Sequence, residues 1–136
     1  MENLMRTIFL VLVSLASYGC GGYNRPSQMT QPGIVPVVAA ISPASQLHGG
    51  SDFTLTVTGS NFNANAVVNW NAAPQAGTTH PTATTLSVTI PAGDISAAGS
   101  AQVSVTNPGS STPGGPYGGG STTPSETSNN MTLTIN

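Results

Sequence analysis

Asp52-Phe53-Thr54-Leu55-Thr56-Val57-Thr58 alternates without a break, with Phe53, Leu55 and Val57 on one face and three threonines on the other. A period of two belongs to an extended chain, whose successive side chains point to opposite sides. This stretch is therefore a strand with one face in a core and a hydroxyl face in water. The pattern recurs. Val37, Ala39 and Ile41 alternate up to Ser42-Pro43, where proline ends the ladder. Ala66, Val68 and Trp70 follow, then Leu86, Val88 and Ile90, then Ala101, Val103 and Val105, and last Met131, Leu133 and Ile135. A short further strand near Ala73 to Thr78 brings the expectation to about seven.

The rest of the composition agrees. Ser, Thr, Asn and Gly abound, there are 11 prolines, and the best helix formers apart from alanine are scarce. A parallel sheet would need helical crossovers, and no segment offers a 3.6-residue apolar repeat. Strands at roughly 15-residue intervals, broken by His48-Gly49-Gly50, Gly59-Ser60-Asn61 and Pro91-Ala92-Gly93, fit an all-β fold of two antiparallel sheets packed face to face. A chain of 136 residues has room for one such domain.

Charged residues make up 4% of the chain, with no lysine: Glu2, Arg6, Arg25, Asp52, Asp94 and Glu126. A nucleic-acid binder draws its affinity from basic side chains that neutralise phosphates, so this composition excludes nucleic acid as a partner. The net charge of -2 is too small to steer a charged ligand.

Thr7 to Ala16 is an apolar run preceded by Arg6, too short to span a bilayer and of the length of a signal-peptide core, so residues 1–19 are expected to direct export. Met5, directly before Arg6, makes a better start for such a signal than Met1-Glu2. The single cysteine stands where the signal ends, in Ser17-Tyr18-Gly19-Cys20-Gly21-Gly22, which resembles the lipobox of bacterial lipoproteins. The resemblance implies fatty acylation of Cys20, palmitate included. Gly19 fits that motif, whereas Ser17 and Tyr18 depart from it, and ordinary signal cleavage at the same bond is the alternative, leaving a secreted or periplasmic protein. A lone cysteine can form no internal disulfide. Gly21 carries no acidic signal of inner-membrane retention, so the expected address is the outer membrane or the cell surface, with the lipid as the only contact with membrane. Residues 20–35, rich in Gly, Pro and polar side chains, read as a flexible tether.

Ile41-Ser42-Pro43, Gly49-Gly50, Leu55-Thr56-Val57-Thr58-Gly59-Ser60-Asn61-Phe62 and Val103-Ser104-Val105-Thr106-Asn107-Pro108-Gly109 occur in an order and at a spacing that resemble the IPT/TIG domains. The resemblance covers residues 36–136 and implies an immunoglobulin-like β-sandwich. Gly59 and Asn61 suit a turn with unusual backbone angles, and Phe62 is placed to plug the end of the sandwich. The departure from the family is the stretch 108–130, PGSSTPGGPYGGGSTTPSETSNN, where a short loop is usual. Its length and composition predict a disordered insertion, with Tyr117 as the one large side chain it could offer a partner.

Reactive chemistry finds few residues to carry it. His48 and His80 stand alone, and no spaced His/Cys cluster points to a metal, so no metal ligand or cofactor is expected. Asp52 and Asp94 fall at strand edges or turns, where carboxylates bond nearby backbone N–H groups, and no catalytic residue is assigned. Asn61, Asn63 and Asn65 alternate like the start of a calcium loop, but Ala66 and Ala72 stand where the glycine and the closing acid belong. Trp70 alternates with Ala66 and Val68 and so points inward. The function expected is that of a non-catalytic cell-envelope lipoprotein, a protein-interaction, adhesive or structural module whose partner is an envelope protein or glycan. Strand addition at an open sheet edge would be one mode of contact. Carbohydrate binding by a face of Thr54, Thr56, Thr58, Thr85, Thr89, Thr132 and Thr134 is the alternative.

Overall fold

A computed structural model describes residues 29–116 and 118–136. In chain order the strands are β1 (Met29–Thr30), β2 (Val37–Ser42), β3 (Ser45–Gln46), β4 (Phe53–Ser60), β5 (Val67–Trp70), β6 (Ala73–Pro74), β7 (Thr79–Thr82), β8 (Thr85–Ile90), β9 (Gly99–Asn107), β10 (Ser110–Thr112), β11 (Ser121–Thr123), β12 (Glu126–Thr127) and β13 (Met131–Ile135). One sheet has the order β2-β4-β8-β7 and is antiparallel throughout. The other has the order β3-β13-β9-β5-β6, with β12 also on β9. The fold is a sandwich of two sheets, as the alternation and turn spacing predicted, and of the immunoglobulin-like type that the resemblance implied, with only the short β3 pairing parallel, to β13, within these two sheets.

The inward residues are those that alternation selects. Leu55, Val57, Val68, Leu86, Ile90, Val103, Val105 and Leu133 are fully buried, and Ala66, Val88, Ala101 and Ile135 pack with them. Trp70 belongs to the same core and meets Phe53 edge to face, with ring centroids 6.4 Å apart. Ile95, on a 3-10 turn over Ala92–Ile95, closes the sandwich at one end.

The first strand differs from the expected pattern. Val38, not Val37 or Ala39, is the buried residue of β2, and Ile41 is half-buried. The cause is a shift of register against β4 between Val38 and Ala40, which inverts the alternation part-way along the strand. Gly59 also differs from expectation. It lies within β4, and it is Asn61, at φ 61°, that adopts the left-handed turn conformation. Glycine is required at 59 because a Cβ there would overlap the Val37 carbonyl oxygen and crowd the Phe62 ring. Phe62 is half-buried against the core, in the plugging position expected of it.

The stretch 108–130, expected to lack structure of its own, carries three short strands among its described residues. β10 and β11 form an antiparallel pair with Ser110 opposite Thr123 and Thr112 opposite Ser121. β1 pairs parallel to β11, so the described part of the expected tether is docked on the insertion rather than free. This small third sheet contributes no residue to the core; backbone pairing between Ser- and Thr-rich segments holds it, which apolar periodicity does not reveal. β12 then joins the sandwich, pairing Thr127 with Thr106. Between β12 and β13 the chain bulges, and the Asn129 amide crosses to the other sheet. Its Oδ1 accepts from the Val38 N–H at 2.9 Å and its Nδ2 donates to the Val38 carbonyl at 2.9 Å, replacing a strand partner at the edge of β2.

Candidate functional site

The asparagines organise the surface of this domain. Asn107, 3% exposed, donates from Nδ2 to the carbonyls of Ile34 (2.8 Å) and Asn61 (2.7 Å), and its Oδ1 accepts from the Asn63 N–H at 3.0 Å. Asn61 in turn donates to the Val35 carbonyl, and Asn63 Oδ1 accepts from the Asn65 N–H. The side-chain amides of Asn61 and Asn63 are thus bonded to backbone, as a turn requires. Asp52 Oδ1 accepts from the Ala92 N–H at 2.8 Å at the start of the 3-10 turn. His48 and His80 are both exposed. Among the described residues no group of three or more His, Cys, Asp or Glu could hold a metal.

Cys20 and Tyr117, the expected lipidation site and the candidate partner contact, lie outside the described residues. The threonines named for sugar binding divide between two surfaces. Thr54, Thr56 and Thr58 of β4 pair with Thr89, Ser87 and Thr85 of β8 on the outer face of the four-stranded sheet. Thr132 and Thr134 belong to β13, in the opposite sheet. Open edges are also scarcer than expected for a chain without lysine. β7 carries Pro81 and a break in register, β6 is two residues long and ends in Pro74, β3 is two residues long, and Asn129 occupies the edge of β2 at Val38.

The feature that sequence reasoning missed lies on the outer face of the β9 sheet. Asn69 of β5 and Ser104 of β9 stand opposite each other in register and are 6% and 5% exposed, although both point away from the core. They form the floor of a groove of about 490 Å³ lined by Asn71, Ala72, Gln102, Thr106, Thr127 and Asn130. Asn69 Nδ2 donates to Ser104 Oγ at 3.3 Å and to Thr106 Oγ1 at 2.8 Å, and Thr106 Oγ1 lies 2.9 Å from Thr127 Oγ1. On the rim, Asn71 and Ala72 form the two-residue turn between β5 and β6, both left-handed at φ 50° and 67°. Asn71 Oδ1 accepts from the Gln102 N–H at 2.9 Å, and the Asn71 N–H donates to the Gln102 carbonyl at 2.8 Å. A polar residue within each strand's alternation reads as solvated surface. Only the pairing of β5, β9 and β12 brings these together as a walled recess.

The left-handed Asn61 beside Gly59 and Phe62, and the Asn107 anchor at the end of β9, place the motifs around residues 59–62 and 107 in one corner of the sandwich, while Ser42-Pro43 and Gly49-Gly50 lie away from it. The family model described as IPT/TIG domain matches residues 36–121, more than half of the chain. The chain belongs to the IPT/TIG domain family. No curated protein and no solved structure gives a significant match. IPT/TIG domains are immunoglobulin-like modules of protein interaction and are generally non-catalytic. The match ends at Ser121, so β12 and β13, with Thr127 and Asn130 of the groove, lie beyond it.

Proposed function

We propose that this IPT/TIG domain is a non-catalytic adhesive or structural module of the bacterial cell envelope, exported and held at the outer membrane or cell surface by lipid on Cys20. The observation that carries this reading is the family match, since it supplies a rigid sandwich whose surface, not a reactive centre, makes contacts. The apolar run Thr7 to Ala16, followed by Ser17-Tyr18-Gly19 and the only cysteine, supports export and anchoring. The partner is an envelope protein. Ile34, Val35 and Val37 are exposed apolar side chains in one stretch and offer contact area for it. The test is fractionation of cells expressing the full chain, followed by cross-linking in the envelope. Cys20→Ser moves the protein from the membrane to the soluble fraction, and unchanged partitioning overturns the anchor. A cross-link from position 35 to a defined envelope protein, lost with Val35→Asp, supports the interaction reading; cross-linking without any defined product overturns it.

A second reading, carbohydrate binding, is favoured by one observation. The groove over Asn69 and Ser104 is concave and lined by neutral amides and hydroxyls, whereas the threonine rows named from sequence fall on separate faces.

A further inference from the structure

We infer that the groove floored by Asn69 and Ser104 and walled by Asn71, Gln102, Thr106 and Asn130 binds a neutral oligosaccharide. The inference rests on the carbohydrate reading and gives it a site. Its first support is the chemistry of the lining. None of the groove residues is charged, and Asp52, Asp94 and Glu126, the charged residues within the described range, are not among them. An anion or a metal ion entering the groove would leave water without a counter-charge. The lining residues are otherwise amides and hydroxyls, which donate and accept at the same site as sugar hydroxyls do. A peptide laid along a sheet is read through apolar pockets for alternate side chains, and Ala72 is the only apolar residue that lines the groove. Its volume of about 490 Å³ is that of a small-molecule site.

The second support is preorganisation. Asn69 is held by its two donated bonds, to Ser104 and Thr106, and among the described residues its Oδ1 accepts none. No buried side-chain polar atom there lacks a partner, so that oxygen reaches solvent, and it does so in the groove it lines. A fixed acceptor at the floor, with an amide clamped on the rim by Gln102, binds without the entropy of ordering mobile side chains.

The third support is strain. Two-residue hairpin turns with both residues left-handed favour glycine at the second position, yet Ala72 stands there at φ 67°. Ala72 is the one apolar residue of the lining, and its methyl is placed to meet a C–H face of a sugar ring. The wall opposite is built by Thr127 and Asn130, beyond the part of the chain that matches the family, whereas the floor lies within it.

The test is a nuclear magnetic resonance titration of the isotope-labelled chain with neutral gluco-, manno-, galacto- and xylo-oligosaccharides, alongside a uronic-acid oligosaccharide and a Ser/Thr-rich peptide. The expected result is that a neutral oligosaccharide shifts the side-chain amide signals of Asn69, Asn71, Gln102 and Asn130. Gln102→Ala and Asn130→Ala, both at exposed positions, weaken binding by about three- to tenfold each, the value of one neutral hydrogen bond, while Thr56→Ala on the opposite sheet leaves it unchanged. Sugar-induced shifts confined to Thr54–Thr58 would overturn the groove and leave the carbohydrate reading standing. No shift with any sugar overturns both, and binding of the peptide or the uronic acid alone overturns the neutral-sugar assignment.

Discussion

Asn107→Ala removes three side-chain hydrogen bonds. The Asn107 amide joins the approach to β2 at Ile34, the turn at Asn61 and Asn63, and the end of β9, segments 73 and 46 residues away in the chain for its two donated bonds. A neutral hydrogen bond contributes about 1 kcal/mol net, so three give about 3 kcal/mol. The site is 3% exposed, so water does not readily take over the orphaned N–H and carbonyls, and the loss rises toward about 4 kcal/mol. Against a total of about 5–15 kcal/mol for a small domain, that is a large share. The assay is urea unfolding followed by Trp70 fluorescence, with the midpoint and the slope compared between the two proteins. A loss below about 1 kcal/mol would refute the assignment of Asn107 as the anchor of this corner. Asn107→Asp sharpens the test. An ionised carboxylate there faces two carbonyl oxygens and lacks both donors, so its folded pKa is raised above the unfolded value. Its protonated form is bound preferentially by the folded state, so stability of this variant rises as pH falls through the folded pKa toward the unfolded value of about 3.9, and is lowest at neutral pH. A pH-independent deficit would show that the carboxylate has turned out to solvent.

Three further outcomes follow from single positions. Gly59→Ala drives a methyl into the Val37 carbonyl oxygen and the Phe62 ring, and is expected to cost about 3 kcal/mol in a denaturant titration; a cost near zero would show that β2 and β4 separate freely there. Trp70→Ala opens a cavity beneath Phe53 and costs about 3–5 kcal/mol, and an unchanged melting temperature would place the indole on the surface. Ala72→Gly relieves a left-handed alanine, and the gain less the added chain entropy is a stabilisation of about 0.5–1 kcal/mol by thermal unfolding; a loss would mean that the methyl contributes packing to the fold itself.

The alternation in Phe53-Thr54-Leu55-Thr56-Val57 and its counterparts was enough to determine the strands, the sandwich and nearly all of the core, because a period of two leaves only one way to bury an apolar face. The quoted motifs from Ile41 to Gly109 were enough to indicate the family. The chain alone could not place Val38 inside in preference to Val37, since a bulge is set by how two strands pair and not by either strand. Nor could it show that Ser110–Thr112 and Ser121–Thr123 form a sheet, because no apolar side chain marks a ladder held by backbone hydrogen bonds. Asn129 and Val38 are 91 residues apart, and Asn69 and Ser104 are 35 apart. Their amides are chemically like every other asparagine in the chain, and only the packing of strands distant in sequence makes one a stitch between sheets and the other the floor of a groove.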